Sequence, residues 1–342
     1  MKRAACLLLL VACSKGSSKP AETVEASIPD PFLATPPSAE PAASSSDSPV
    51  MALSPPPVAS VESTAPGPRS SVKLLDHGQE PLRPLHYAWH ADQKERMEIE
   101  LRTAISADIG GARRDSTLPP LHIVVAIEPR SVTPAGDLRF GWHVESAKPG
   151  LPEAGAPDAM MAGWSAQLVP VEHLSGTALV NAHGVSRGVT LDSGTAGDAG
   201  ADSEMVVQVL QMLRDVAAPL PDEPVGKGAR WQKLSTLDAK NGHATQTDTF
   251  TLLDAPADTG ALDDVFAQTA SPQALPSPTG GGGSPAMVDS LLTSGSAKVR
   301  FDLSRLVPQQ SLDGTTSMAL SAPSSRMNMV MRLGITVRGT VR

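Results

Sequence analysis

The feature that most constrains the fold of this chain is a strict alternation of apolar and polar residues near its C-terminus. The apolar positions are Met327, Met329, Met331, Leu333, Ile335, Val337 and Val341, and mostly polar residues separate them. A period of two residues places alternate side chains on opposite faces of a β-strand. Residues 97–101, 138–144 and 297–303 repeat this alternation. These segments predict a mainly β protein with an antiparallel sheet that buries one face.

Turn-forming residues divide the predicted strands into hairpins. Asn241-Gly242 is a favoured two-residue hairpin turn, because both positions tolerate positive φ. A segment rich in Pro, Gly and Asp, residues 129–137, and the polar residues 92–94 indicate two further turns. The predicted hairpins join 85–91 to 95–105, the strand ending at Ile127 to the strand beginning at Leu138, and 231–237 to 244–253.

One amphipathic helix is predicted over about residues 203–217. Its apolar stripe consists of Met205, Val206, Val209, Leu210, Met212, Leu213 and Val216, and its polar side consists of Glu204, Gln208, Gln211 and Asp215. Pro219 disfavours continuation of the helix beyond this point. A helix with such a stripe has to cover a sheet face. The expected fold is therefore a curled antiparallel sheet or a sandwich, covered by this central helix.

The N-terminus has the pattern of a bacterial lipoprotein signal. Lys2 and Arg3 precede a short apolar run that ends in Leu10-Val11-Ala12-Cys13. This pattern predicts that residues 1–12 are a signal peptide and that Cys13 becomes the lipidated first residue of the mature protein, anchored through acyl chains such as palmitate. The apolar run has about ten residues, whereas a membrane-spanning helix needs roughly 20.

The two cysteines of the chain limit the chemistry of the exported part. Cys6 lies within the predicted signal peptide, and lipidation at Cys13 consumes the other thiol. The mature domain is therefore expected to have no disulfide, no cysteine-ligated zinc and no cysteine nucleophile. Such a domain must rely on an ordinary hydrophobic core.

Residues 13–71 are predicted to form a disordered tether. They are dense in Pro, Ala, Ser and Thr and include Pro55-Pro56-Pro57, a composition that buries too little apolar surface to offset the entropy of folding. Extended at about 3.1 Å per residue, such a tether reaches on the order of 150 Å. Residues 72–342 then form the β-rich envelope domain. A net charge of −8 without a basic cluster argues against nucleic-acid binding.

The segment after the predicted helix carries a recognisable motif. Residues 221–231 have the pattern Pro-x-Glu-x-Val-Gly-x-Gly-x-x-Trp, which ends at Trp231. This pattern resembles a signature of an uncharacterised family of bacterial lipoproteins, known as a domain of unknown function. The resemblance implies export and a β-rich domain, and it brings no catalytic residues.

One motif points to a possible hydrolase. Residues 184–188 match Gly-x-Ser-x-Gly, with Ser186 at the position of a nucleophile. A nucleophile elbow needs a preceding strand, a following helix and a histidine further along the chain. The residues after Ser186 have strand character, and only His243 lies downstream. A hairpin turn explains both glycines equally well, so the hydrolase is the alternative interpretation.

The methionines on the alternating C-terminal face offer a candidate binding surface. Met318, Met327, Met329 and Met331 are expected to share one sheet face. Thioethers select Cu(I), but methionine is more often a pliable lining of cores and apolar pockets. An apolar pocket is the favoured interpretation, without a metal or cofactor.

Two functions follow from these observations. The first is a non-catalytic envelope lipoprotein, attached to the membrane through Cys13, that binds a protein partner or an apolar molecule such as a lipid. The second is a serine hydrolase that uses Ser186 with His243. Ser14, rather than Asp, follows the lipidated cysteine, which favours the outer membrane over the inner membrane.

Overall fold

The computed structural model shows a mainly β protein, with two helices among the residues that it describes. It describes residues 70–151, 158–192, 204–239, 242–270, 272–274, 287–322 and 325–342. The strands are β1 (Ser70–Asp76), β2 (Gln79–Arg83), β3 (Glu95–Ile109), β4 (Ala112–Thr117), β5 (Leu121–Val132), β6 (Leu138–Pro149), β7 (Ser175–Val180), β8 (Ser186–Leu191), β9 (Val225–Lys227), β10 (Arg230–Ala239), β11 (Gly242–Asp254), β12 (Thr259–Ala270), β13 (Gln273–Ala274), β14 (Met287–Asp302), β15 (Gln309–Ala322) and β16 (Ser325–Val341). The helices are α1 (Asp158–Leu168) and α2 (Glu204–Arg214).

Fourteen of the strands form one antiparallel sheet. Its order is β1-β10-β11-β12-β14-β15-β16-β3-β5-β6-β7-β8, with β13 paired to β14 and β4 paired to β3. The short strands β2 and β9 form a separate ribbon. The C-terminal strand β16 pairs with β15 on one side and with β3 on the other. The last strand of the chain therefore joins the two halves of the sheet.

The sheet is curled and open. One hydrophobic cluster includes Val180 from β7, near one edge, together with Phe250 from β11 and Val299 from β14. Val72 of the opposite edge strand β1 packs against the same cluster. Side chains so far apart along the strand order share one core only if the sheet curves around it. The expectation of a curled antiparallel sheet is confirmed, and among the described strands the edges β1 and β8 are not hydrogen-bonded to each other.

The predicted central helix is confirmed. The prediction covered about residues 203–217, and α2 comprises Glu204–Arg214. The segment after the helix, residues 216–221, has no regular secondary structure and is buried in the core. Helix α1, beside β6, was not predicted; its sequence DAMMAGWSAQL has no continuous apolar stripe. Neither described helix is long and apolar enough to cross a membrane.

The prediction of a hairpin at residues 85–105 is wrong for its first arm. Its second arm is β3, but residues 84–90 do not belong to a strand. Their alternation arises because Leu85, Tyr87 and Trp89 are buried in turn. The backbone of this segment bonds to separate loops, with Tyr87 N donating to Ala182 O at 2.7 Å and Ala88 N donating to Leu303 O at 2.8 Å. An alternating burial pattern can therefore arise without a strand ladder.

The other two predicted hairpins are present. Strands β5 and β6 pair antiparallel, although β5 continues beyond Ile127 to Val132, with an irregular register near Pro129. Strands β10 and β11 pair up to Ala239 and Gly242, so Gly242 of the predicted turn belongs to β11, and Asn241 lies outside the described residues. Strand β1 begins at Ser70 and therefore includes the last two residues, 70 and 71, of the predicted tether. The rest of the tether, the signal peptide and Cys13 lie outside the described residues.

Candidate functional site

A cavity of about 360 Å³ lies between the concave face of the sheet and α2. Adjacent strands β3 and β16 supply its apolar wall, namely Met97, Ile99, Leu101, Ile105, Met331, Leu333, Ile335 and Val337. The register places Ile99 opposite Val337, and Leu101 opposite Ile335. Leu333, Ile335 and Val337 are only half-buried, although they lie on the inner face. The alternation that defines β16 therefore lines an apolar cavity as well as a core.

The four candidate methionines occupy two neighbouring environments. Met331 lines the cavity. Met318 and Met329 are direct cross-strand partners and are buried in a second hydrophobic cluster, against which Met327 packs. Ile105, Met331 and other members of that cluster also line the cavity. Of the four methionines, Met331 alone reaches the cavity, and the other three belong to the cluster that forms one end of it.

Helix α2 has two buried faces. Val206, Val209 and Leu213 are at most 2% exposed and pack into the main core. The residues of α2 that line the cavity are Met205, Gln208, Gln211 and Met212, and Asp215 just beyond the helix also lines it. Gln208, Gln211 and Asp215 of the predicted polar side thus bring amide and carboxylate groups to the cavity, beside two methionines of the apolar stripe.

The segment that follows α2 is held in place by two buried aromatic side chains. The indole Nε1 of Trp231 donates a hydrogen bond to Pro219 O at 2.9 Å. The hydroxyl of Tyr87 donates one to Ala218 O at 3.0 Å. Burial raises the pKa of Tyr87, so the phenol stays protonated and remains a donor. These bonds fix the C-terminal end of α2 beside the cavity.

Charged groups form the wall of the cavity opposite β3. Lys233, Asp248 and Asp264 come from β10, β11 and β12, and Asp215 follows α2. Lys233 is the direct cross-strand partner of Asp248, and its Nζ lies 2.5 Å from Asp215 Oδ1. Gln246 Nε2 donates to Asp248 Oδ1 at 2.7 Å. We call Lys233, Asp215, Asp248 and Asp264 the acidic cluster.

Burial governs the proton affinities of the acidic cluster. It raises the pKa of Asp264 to about 7, and the neighbouring charge of Asp248 adds to this effect. Burial also raises the pKa of Asp248, although Lys233 and the Gln246 hydrogen bond oppose it. For Lys233, burial lowers the pKa, but the attraction of Asp215 and Asp248 outweighs it, so the net pKa is raised. Lys233 therefore stays charged, and Asp248 and Asp264 ionise less readily than ordinary aspartates.

The acidic cluster was missed in the sequence, although the strand pattern contains its signal. Asp264 lies between Leu262 and Phe266 at the spacing of the buried face, and Asp248 lies two residues before buried Phe250. Both carboxylates are therefore charged residues at apolar positions of an alternating strand. A buried charge is costly unless it is paired, which makes such a position a signal for a site.

A second groove, of about 500 Å³, lies where the two sheet edges approach each other. Ser70 and Val72 of β1 line it together with Ser186 and Arg187 of β8. His183 and Asp222 also line this groove, and His183 Nε2 lies 3.3 Å from Asp222 Oδ1. His243, the partner predicted for Ser186, is instead in β11 opposite Asp238.

The Gly-x-Ser-x-Gly motif forms a hairpin turn between β7 and β8. Gly184 has φ of +75°, and a Cβ there would lie 2.3 Å from Ala218 O. Asn181 Oδ1 accepts hydrogen bonds from His183 N at 3.1 Å and Val185 N at 2.8 Å. Ser186 then begins strand β8, so the described residues directly after it form a strand and not a helix. The first glycine is therefore explained by the turn and its close packing.

Comparisons with known proteins identify no relative of this chain. None of the protein-family profiles compared with the chain matches it, and no curated protein is significantly similar to it. Among the described residues, no three His, Cys, Asp or Glu side chains are arranged to hold a metal ion. The likeness of residues 221–231 to a lipoprotein signature stays a resemblance in one motif.

Proposed function

We propose that this protein is a non-catalytic, lipid-anchored cell-envelope protein that binds an apolar molecule, such as a lipid, in the cavity beneath α2. The apolar wall that β3 and β16 supply carries the proposal. Its side chains share one continuous face and line about 360 Å³. Cavities of about 300–1,000 Å³ are typical of small-molecule sites. Each methylene of a bound chain that leaves water contributes about 0.8 kcal/mol.

The shape of the site favours a small molecule over a protein partner. A specific protein interface covers about 800 Å² of each partner. The apolar residues that define this site lie on the concave face of the sheet, beneath α2. A hydrocarbon chain fits such a recess, whereas a folded partner needs an accessible surface. An envelope location fits a lipid ligand, because the predicted anchor at Cys13 places the domain beside a membrane, with the outer membrane favoured by Ser14.

Two tryptophan substitutions on the same strand test the proposal. Leu333 of β16 lines the cavity, whereas Val330 of β16 is 38% exposed on the outer face. Leu333→Trp should fill the cavity and reduce binding of the neutral fluorophore Nile Red about tenfold or more. Val330→Trp is the matched control and should bind like the wild type. Equal Nile Red binding by all three proteins would contradict the proposal.

A serine hydrolase remains a second candidate, because of the groove at the sheet edges. Ser186 Oγ and His183 Nδ1 are both buried and lack a hydrogen-bond partner among the described residues. His183 is also paired with Asp222. These residue types are those of an acyl-transfer triad, in which histidine activates serine.

Active-site labelling separates the two candidates. A hydrolase would react with a fluorophosphonate at Ser186, and Ser186→Ala would abolish the adduct. Ser70→Ala is the control, because Ser70 lines the same groove from β1. The non-catalytic proposal predicts no adduct that depends on Ser186. A stoichiometric adduct lost only in Ser186→Ala would establish the hydrolase instead.

A further inference from the structure

The polar wall of the cavity presents hydrogen-bond acceptors that lack donors. Asp248 Oδ2, Asp264 Oδ1 and Gln208 Oε1 are inaccessible to solvent and have no partner among the described residues. The carboxylate residues Asp248 and Asp264 are each only 6% exposed. Burying such an oxygen without a donor costs about 1–3 kcal/mol, and more if it is charged. These atoms are therefore prepared for a group that donates hydrogen bonds.

The donors already present in the acidic cluster are engaged elsewhere. Lys233 Nζ lies 2.5 Å from Asp215 Oδ1. The amide nitrogen of Gln246 donates to Asp248 Oδ1, which leaves Asp248 Oδ2 free. Within the described part of the cavity lining, the unpartnered buried side-chain atoms are all acceptors. When Asp248 and Asp264 are ionised, a ligand that completes this site must therefore bring donors.

The charges of the acidic cluster favour a ligand whose head group is positively charged. One lysine faces three carboxylates, those of Asp215, Asp248 and Asp264. When all four are ionised, the cluster carries an excess of negative charge. A carboxylate or phosphate head would meet like charge in a buried site, which is unfavourable. A protonated amine would neutralise charge and supply up to three N–H donors.

We propose that the ligand of this cavity is an amphiphile with a protonated amine head, and that Asp248, Asp264 and Gln208 bind that head. The apolar chain lies along the wall formed by β3 and β16, whose residues face the cluster across the same cavity. The inference rests on the proposed function, since it specifies the ligand of the same site. It adds the chemical class of the head group and the residues that recognise it.

Binding of such a ligand depends on pH through Asp264. The charged groups that line the cavity around it are Asp248 of β11, Lys233 of β10 and Asp215 after α2. Because burial raises the pKa of Asp264 to about 7, this carboxyl holds a proton in the empty site below that pH. An ammonium head favours the ionised form and must displace the proton. Its affinity should therefore rise between about pH 6 and pH 8, whereas a neutral head should show no such rise.

The test compares three ligands that share a dodecyl chain: dodecylammonium, dodecanol and dodecanoate. Each displaces Nile Red from the full chain carrying Cys13→Ala, without detergent and below micelle-forming concentrations. At pH 7.5, dodecylammonium should bind about tenfold or more tightly than dodecanol, as expected for charge-assisted hydrogen bonds. Dodecanoate should bind more weakly than dodecanol. The preference for dodecylammonium should decrease at pH 6.

Charge-removing variants assign the preference to the proposed residues. Asp248→Asn and Asp264→Asn should each reduce the affinity for dodecylammonium to near that for dodecanol, and dodecanol binding should be retained. Asp263→Asn is the matched control, since Asp263 neighbours Asp264 in β12 but does not line the cavity. It removes the same charge from the opposite face and should keep the preference.

The outcomes separate this inference from the proposed function. Equal affinities for dodecylammonium and dodecanol in the wild type would overturn the amine head but keep the apolar cavity. A preference that survives in both Asp→Asn variants would overturn the assignment of the residues. Failure of all three ligands to displace Nile Red, together with equal Nile Red binding by Leu333→Trp, would overturn the proposed function itself.

Discussion

At the scale of single residues, Glu95 is a buried carboxylate with a structural role. It is 3% exposed and accepts hydrogen bonds from Leu306 N at 2.6 Å and Val307 N at 3.1 Å. Burial raises the pKa of Glu95, although both bonds and nearby Arg305 oppose the increase. The side chain thereby ties the loop after β14 to the start of β3.

Glu95→Ala should lower the free energy of unfolding by about 2–4 kcal/mol, because it leaves two buried amide N–H groups without an acceptor. Glu95→Gln keeps one acceptor oxygen and should lose less. Urea unfolding followed by tryptophan fluorescence measures both. An alanine variant as stable as the wild type would show that water replaces the carboxylate without cost.

Asp264 should make the stability of the ligand-free protein depend on pH. Its pKa is raised to about 7 in the folded state, mainly by burial, so the folded state binds the proton more tightly than the unfolded state. The contribution of this group is therefore most favourable below about pH 4 and decreases as pH rises to about 7. Asp264→Asn removes the dependence. It should stabilise the protein at pH 8 by about 2 kcal/mol, with an upper bound of about 4 kcal/mol, and have little effect at pH 4.

Unfolding by urea at both pH values checks this expectation, with Asp263→Asn as the control that keeps the buried group. An equal change at pH 4 and pH 8 would mean that the substitution acts through packing rather than through the proton.

At the scale of elements, the position of α2 depends on the residues after it. Trp231 is fully buried, and its Nε1 bonds to Pro219 O. Trp231→Phe keeps an aromatic ring against Phe250 but removes the donor. We expect a loss of about 1–3 kcal/mol from the orphaned carbonyl and the reduced packing. Hydrogen exchange of the α2 amides should accelerate more than that of β16. Unchanged exchange in α2 would show that the indole bond does not position the helix.

The elements most accessible to sequence reasoning were those with a single clear period. Strand β16 and helix α2 follow periods of two and 3.6 residues, and the sequence Asn-Gly indicated the hairpin of β10 and β11. The prediction of a strand at residues 85–91 was wrong because their buried side chains alternate while their backbone forms hydrogen bonds to loops. Helix α1 could not be predicted in this way, because its sequence has no apolar stripe.

The candidate site was predictable only in part, because one strand shows a face but not what that face meets. The face of Met327, Met329 and Met331 is apparent from one strand, but only the curvature of the sheet determines that Met331 reaches the cavity. The acidic cluster needs the registers of three adjacent strands and the polar side of α2. Sequence shows Asp248 and Asp264 at apolar positions of alternating strands, and tertiary structure alone shows that they meet.

At the scale of the whole molecule, the open sheet supplies both candidate sites. Its concave face and α2 enclose the apolar cavity, and its edges β1 and β8 border the groove that contains Ser186. The proposed lipid anchor would attach this protein to a membrane of the cell envelope. Replacing Cys13, the predicted lipid attachment site, removes the thiol to which the lipid is expected to be joined.

Cys13→Ala should therefore move the protein from the membrane fraction to the soluble fraction. Fractionation of cells, with metabolic labelling by palmitate, measures the change. Cys6→Ala is the control and should leave the protein labelled and membrane-bound. A Cys13→Ala protein that stays in the membrane and keeps its label would contradict the proposed anchor.

The most direct measurement is native mass spectrometry of the protein isolated from its own envelopes. The wild type and Val330→Trp should each carry one low-mass adduct, and its fragmentation should show an acyl or alkyl chain and an amine. Leu333→Trp, with its cavity filled, should lack the adduct. A protein without any adduct, or the same adduct on Leu333→Trp, would contradict binding of an apolar amine in the cavity between the sheet and α2.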